Sequence, residues 1–223
     1  MKEAHEHPNT RILQQLSSDR ILADSTRATY KYTRGLLPSS FDEWMRREKH
    51  SFRDTRSTQF SPHDIISILN ALREIDGDDM IPIALYLCCQ LELRFLLTGH
   101  RRSDGSVAKL SNEDIELCLN LREDMVKESA RMAMKLFAEA PDPSCRCRAV
   151  IKEIYIDIVN GNYEDIPRTN PLGPYWRGHI DLEEMGSPQR HRRICSGCAR
   201  SLRQRELKQR RELWDELPRL VGF

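Results

Sequence analysis

Between Met80 and Leu91 the chain carries a near-apolar run of 12 residues interrupted only by Gln90. That length suits a buried core helix and falls short of a membrane span, which takes about 20 apolar residues. Pro82 sits where the first turn of a helix tolerates it. A helix that is apolar on all sides has to be covered by its neighbours, and the flanking sequence is patterned to do that. Ser61 as N-cap and Pro62 at the first helical position open a helix with Ile65, Ile66, Leu69, Leu72 and Ile75 on one face. Gly77, among Asp76, Asp78 and Asp79, makes the turn that follows. After a second turn at Ser103-Asp104-Gly105, Ser111-Asn112-Glu113-Asp114 caps a long helix to about Ala140. Its expected inner face holds Ile115, Cys118, Leu119, Met125, Val126, Ala133, Leu136 and Phe137, and Pro141 and Pro143 end it. Another helix, Cys145 to Val159, presents Val150, Ile151, Ile154 and Ile158 and stops at Gly161 as a C′ glycine.

Residues 1–60 read as short helices closing in a polar linker at 51–60. Ile12, Leu13, Leu16, Ile21 and Leu22 recur at roughly helical spacing, and Tyr30, Tyr32 and Leu36-Leu37 lead to Pro38. Ser40-Phe41-Asp42-Glu43 is a capping box, with the Ser40 hydroxyl accepting the third backbone N–H and Glu43 reaching back. It opens a short helix bearing Trp44. Residues 161–190 hold four Pro and four Gly, a connecting composition. The last helix is expected from about Ile194 to Leu217, with Pro218 after it. No window shows sustained alternation, so no strand is expected. The fold class is all-α: an irregular helical bundle with a Pro/Gly-rich connection and a long basic C-terminal helix. Four segments follow, at 1–60, 61–161, 162–190 and 191–223.

Composition narrows the function. With 35 basic and 34 acidic residues the net charge is +1, so the chain as a whole is no polyanion binder. Hydrophobic residues at 39% and charged residues at 31% are polar for a globular protein, yet too apolar and evenly charged for disorder. Residues 190–211 concentrate nine Arg or Lys. However, Arg203, Arg205, Lys208, Arg210 and Arg211 spread around the helix, Glu206 and Glu212 stand at pairing distance, and no aromatics interleave for base stacking. A solvated helix anchored at both ends fits better than a nucleic-acid interface. Motifs for serine hydrolysis, metalloproteolysis, phosphate loops and dinucleotide binding are missing. Asp76-Gly77-Asp78-Asp79 misplaces the glycine and twelfth-position glutamate of a calcium loop. Glu113-Asp114 and Glu183-Glu184 sit at a helix start and in a loop, where dipole and solvation explain them. The expectation is a non-enzyme with no catalytic residue, no cofactor and no small-molecule substrate.

Seven cysteines, an odd number scattered along the chain, argue for reduced thiols in cytoplasm or nucleus. The N-terminus has no apolar stretch of a signal peptide, and no membrane association is expected. Cys195-Ser196-Gly197-Cys198 is the most specific local signal, because two thiolates at this spacing form half of a tetrahedral zinc site. Cys145-Arg146-Cys147 is the only comparable pair, and 47 residues separate it from Cys195. A redox dithiol lacks the strand–helix setting such motifs use. The competing reading is small apolar side chains on the packed face of a helix. The residues leave zinc and packing both open and assign no metal ligand.

The tail carries a further pattern. Cys195-x-x-Cys198, Leu202, then Arg211-Glu-Leu-Trp214-Asp-Glu-Leu-Pro218 resembles the ending of a large group of fungal BTB/POZ-domain proteins. Pro171-Leu-Gly-Pro-Tyr175-Trp176 is similar to the proline-rich segment with a Tyr-Trp pair that precedes it there. Asp79-Met-Ile-Pro82-Ile-Ala-Leu85-Tyr86-x-Cys88-Cys89, with Leu96-Leu-x-Gly99, Asp104-Gly105 and Leu110-Ser111-x-x-Asp114, looks like the helical region after the BTB fold. Leu36-Leu-Pro-Ser-Ser-Phe-Asp-Glu-Trp44 is similar to the lead into it. The resemblance covers most of residues 62–223 and, more weakly, 12–44. It implies a non-catalytic module that binds a protein partner, the substrate-facing part of an adaptor for a cullin-type ubiquitin ligase. Dimerisation and ligase recruitment in that group rest on a BTB core of strands and helices, and residue 1 of this sequence falls near the end of that core. The alternative function is a zinc-stabilised nucleic-acid-associated protein using residues 190–211. Tyr175, Trp176 and Trp214 are expected to pack within the chain.

Overall fold

The computed structural model describes residues 31–32, 34–51, 64–75, 77–102, 104–160, 170–174, 176, 180 and 194–223. The apolar positions between Ile12 and Leu22, the linker at 52–60, the Ser61-Pro62 start signal, Asp76, Ser103, Gly161, Tyr175 and Glu183-Glu184 lie outside them. The described chain is all-α apart from one small hairpin. Its elements are α1 (Phe41–Ser51), α2 (Asp64–Glu74), α3 (Ile81–Cys88), α4 (Leu93–Thr98), β1 (His100–Arg101), β2 (Val107–Ala108), α5 (Asn112–Phe137), α6 (Cys147–Val159) and α7 (Ser196–Leu220). They fall into two compact units, one up to Leu121 together with Leu217–Phe223, the other Arg122–Glu216.

In the first unit the near-apolar run does what its composition requires. All of α3 is buried except Leu87, and α2 packs against it through Ile65, Ile66, Ile68, Leu69 and Leu72. Asp114 at the start of α5 is also buried. Its N–H donates to Ser111 Oγ at 3.0 Å, the expected cap. Its carboxylate accepts two bonds from the Arg73 guanidinium of α2, at 2.7 and 3.2 Å. A buried carboxylate held this way is stable because both its charge and its lone pairs are answered.

The capping box of α1 forms with one change. Glu43 N–H donates to Ser40 Oγ at 3.3 Å as expected. The Glu43 carboxylate, however, reaches one residue further, accepting Ser39 N–H at 2.9 Å and the Ser39 hydroxyl at 3.1 Å. Arg47, one turn along, pairs with the same carboxylate and donates to the carbonyls of Gly35, Leu36 and Leu37. The Ser39 and Arg47 bonds outweigh partial burial and hold the Glu43 carboxyl below its ordinary pKa.

The hairpin went unexpected because strands of two residues are too short to show alternation. His100 faces Ala108 and Arg101 faces Val107. Asp104 Oδ1 accepts Ser106 N–H at 2.8 Å, and Gly105 takes a φ of +85°. Gly99 ends α4 at φ +79°, where a Cβ would lie 2.2 Å from the Ala108 carbonyl oxygen, so only glycine fits there.

The second unit has a core drawn from three helices. Ala133, Leu136 and Phe137 of α5 meet Cys147, Ile151, Ile154 and Ile158 of α6 and Cys198, Ala199 and Leu202 of α7. Trp176 is buried in it, edge-on to Phe137 at 5.4 Å. Two expectations need correction along α5. It ends at Phe137, short of Ala140, and Leu119 and Val126 are exposed while Cys118 and Met125 are buried. Cys118 and Met125, seven residues apart, keep the buried face in register, whereas Leu119 and Val126 are each turned about 100° from it and fall beyond its edge.

The C-terminal helix also differs. Pro218 lies inside α7, which continues to Leu220. The missing proline N–H removes one helical bond in the last turn, while buried Leu217 and Val221 keep the segment seated. The middle of α7 is not simply solvated. Leu202, Glu206, Arg210, Leu213 and Leu217 are all buried and recur at helical spacing, so the inner face runs on through a glutamate and an arginine. Arg210 donates to the Leu172 carbonyl.

Trp176→Ala should cost ~3–5 kcal/mol in urea titration, the usual range for emptying a buried aromatic site. Trp214, only half-buried, should cost less, ~1–2 kcal/mol. Equal losses would contradict this ranking. For Glu43 the depressed folded pKa means that its contribution is present above the unfolded value and lost as pH falls through the folded one. Glu43→Gln should therefore destabilise by ~0.5–1 kcal/mol at pH 7, with the deficit shrinking as pH falls through the folded pKa; a pH-independent deficit would rule out the charge as its cause.

Candidate metal centre

Two short turns bring four cysteines to one place. Before α6, Asp142 Oδ1 accepts the N–H and hydroxyl of Ser144 at 2.9 and 2.7 Å, and Cys145 N–H donates to the Asp142 carbonyl at 3.1 Å. An aspartate used this way competes with helix formation. The helix expected from Cys145 therefore starts at Cys147, leaving Cys145 in the turn just outside it. Cys195 stands immediately before α7, its carbonyl accepting Ala199 N–H at 2.8 Å, and Cys198 lies in the first turn. Cys147 and Cys198 are anchored in the core, 4% and 3% exposed, whereas Cys145 is half-buried and Cys195 exposed.

All four Sγ atoms lie within 4.8 Å of one another. Cys145 Sγ and Cys195 Sγ are 3.7 Å apart, far beyond a disulfide bond of about 2.05 Å. A tetrahedron with zinc–sulfur bonds of ~2.3 Å has sulfur–sulfur edges of ~3.8 Å. The observed edge is thus the one a tetrathiolate needs. Backbone donors point inward as well, Cys195 N–H to Cys147 Sγ at 3.1 Å and Cys198 N–H to Cys195 Sγ at 3.5 Å. Such bonds orient thiolate ligands and offset their charge.

The helix ends add to this. The N-termini of α6 and α7 both open at the cluster, and neither has an acidic residue in its first turn. By contrast α1, α2 and α5 each place Asp or Glu there. A helix N-terminus favours an anion, and at these two the anion available is sulfur.

Without metal the thiols of Cys147, Cys195 and Cys198 titrate unequally. The Cys198 N–H, followed by bonds from the Cys147 and Cys145 thiols, lowers Cys195 to about 7. Burial first, then the neighbouring sulfurs, raises Cys198 to about 12. Burial also pushes Cys147 up, against the Cys195 N–H. Four thiolates this close repel one another, and a divalent cation removes that repulsion. Sulfur-only donors suit zinc and other thiophilic ions and do not suit calcium or magnesium.

The sequence left this pairing open and assigned no ligand; the fold joins both halves. The other thiols are packing elements. Cys89 Sγ–H donates to the Cys118 carbonyl at 3.3 Å, and the Cys88 thiol is pushed well up by its bond with Cys118 and by burial. Of the basic residues of α7, Arg210 is buried, Arg205 donates to the Glu139 carbonyl at 2.7 Å and Lys208 pairs with Glu212 at 3.8 Å. Asp78 and Asp79 are exposed and belong to no ligand cluster among the described residues.

Comparison with protein-family models, curated proteins and solved structures returns no match. No helix among the described residues is long and apolar enough to cross a membrane.

In metal-free, reduced protein at pH 7, iodoacetamide should modify Cys195 at least tenfold faster than Cys147 or Cys198, since the thiolate is the nucleophile. Peptide mapping of a time course reads this directly; equal rates at the three positions would contradict the geometry.

Proposed function

We propose that the chain is a non-catalytic helical module that binds a protein partner and is stapled by one zinc ion at Cys145, Cys147, Cys195 and Cys198. The convergence of four sulfurs within 4.8 Å carries the zinc part of this reading. In a site with four cysteine ligands no position is left for water or substrate, and such sites serve structure rather than catalysis. The metal would tie Cys195, just before α7, to Cys145, just before α6, 50 residues apart along the chain.

The resemblance to the region after the BTB core supports a role as the partner-facing part of an adaptor, with substrate recruitment for a cullin-type ubiquitin ligase as the specific form. Trp176, Cys198, Leu202 and Leu217, which carry that resemblance, are buried, as befits residues that build a scaffold. Seven free cysteines support the expected location in cytoplasm or nucleus. The nucleic-acid alternative draws on residues 190–211, but Arg210 is buried and Arg205 is engaged with backbone, which weakens it.

Elemental analysis of reduced, purified protein should find about one zinc per chain, lost in Cys147→Ser and Cys198→Ser. Chelation should lower Tm by about 5–15 °C, the shift expected when a ligand held at 100–1,000 times its Kd is removed from a chain of this size. Metal-free protein that melts at the same temperature with and without added zinc would overturn the reading.

A further inference from the structure

The four sulfurs are not equivalent. Cys147 and Cys198 lie inside the first turns of α6 and α7 and belong to the hydrophobic core. Cys145 and Cys195 lie just outside those helices, on the open side, with Cys195 exposed. This outer pair forms the 3.7 Å edge. Closing it to a disulfide needs an approach of under about 2 Å. Cys145 sits in the bend before α6 and Cys195 directly before α7, so neither side chain is carried by a helical residue.

Building on the zinc reading above, we propose that the site releases its metal on oxidation, a hydroperoxide joining Cys145 to Cys195. The Cys195 thiolate attacks the outer oxygen of the peroxide; an S–O bond forms, the O–O bond breaks and an alcohol or water leaves with a proton. The Cys145 thiolate then attacks the Cys195 sulfenic acid; the S–S bond forms, the S–O bond breaks and hydroxide departs as water. Two thiolates supply the two electrons, and zinc keeps its charge because it has no redox chemistry of its own. Cys147 and Cys198 alone are too few to hold the ion, so it dissociates and they take up two protons. In balance, one tetrathiolate zinc, one hydroperoxide and four protons give one disulfide, two thiols, free zinc, one alcohol and one water. A thiol reductant with zinc restores the starting state.

The experiment uses the full chain, reduced and zinc-loaded, treated with hydrogen peroxide in the presence of a zinc-sensitive dye, with disulfides mapped by mass spectrometry. The expected result is one zinc released per chain together with a Cys145–Cys195 disulfide, both reversed by reductant and zinc. Cys145→His keeps four ligands but cannot form that disulfide, and should release zinc at least tenfold more slowly. Zinc release with a Cys147–Cys198 disulfide, release with no disulfide, or retention under peroxide would overturn the inference while leaving the zinc reading intact. Absence of zinc from the untreated protein overturns both. If Cys145→His fails to fold, the disulfide map of the unaltered chain decides alone.

Discussion

Cys147 and Cys198 are held together by the apolar contact between α6 and α7, and the chemistry of the second unit depends on that contact. Ile151, Ile154 and Ile158 extend it along one helix, Ala199 and Leu202 along the other, and Phe137 and Trp176 close it. Burial of this surface stabilises the unit by roughly 25 cal/mol per Å² of apolar area removed from water. The cluster sits at one end of that core, half in it and half in water. A zinc ion there would add its binding energy to that of an apolar core, which a small zinc finger largely lacks.

Charge follows the same geometry. Two helix N-termini converge on a group of sulfurs, and their first turns carry no carboxylate that would compete. Backbone N–H groups of Cys195 and Cys198 aim at sulfur rather than at solvent. In the first unit the same physics is met differently. There Asp114 caps α5 and accepts Arg73, and Glu43 takes the Ser39 amide and Arg47. Side-chain carboxylates supply the anion at those helix starts, and thiols supply it at α6 and α7.

How much of this was legible in the residues varies by element. The near-apolar run at Met80–Leu91 dictated a buried helix, and α3 is one. Ser111 and Asp114 marked the start of α5 because capping is local chemistry. The hairpin escaped notice for want of length, and the inner face of α7 because Glu206 and Arg210 read as solvent-facing charges until Leu172 supplied a buried acceptor for the arginine. Half of the cysteine cluster was visible as Cys195-x-x-Cys198. Its other half was obscured because Cys145-Arg146-Cys147 spans a turn and a helix start, and only the Asp142 turn sets Cys145 apart from the helix it precedes. Long-range pairing across 47 residues is a property of the core, not of either motif.

Zinc-edge X-ray absorption on the reduced full chain counts the ligands of the metal and identifies their element. Four sulfur neighbours at about 2.3 Å, with no nitrogen or oxygen bound, are expected. A shell containing nitrogen or oxygen, or a protein that takes up no zinc from a stoichiometric supply, would contradict it.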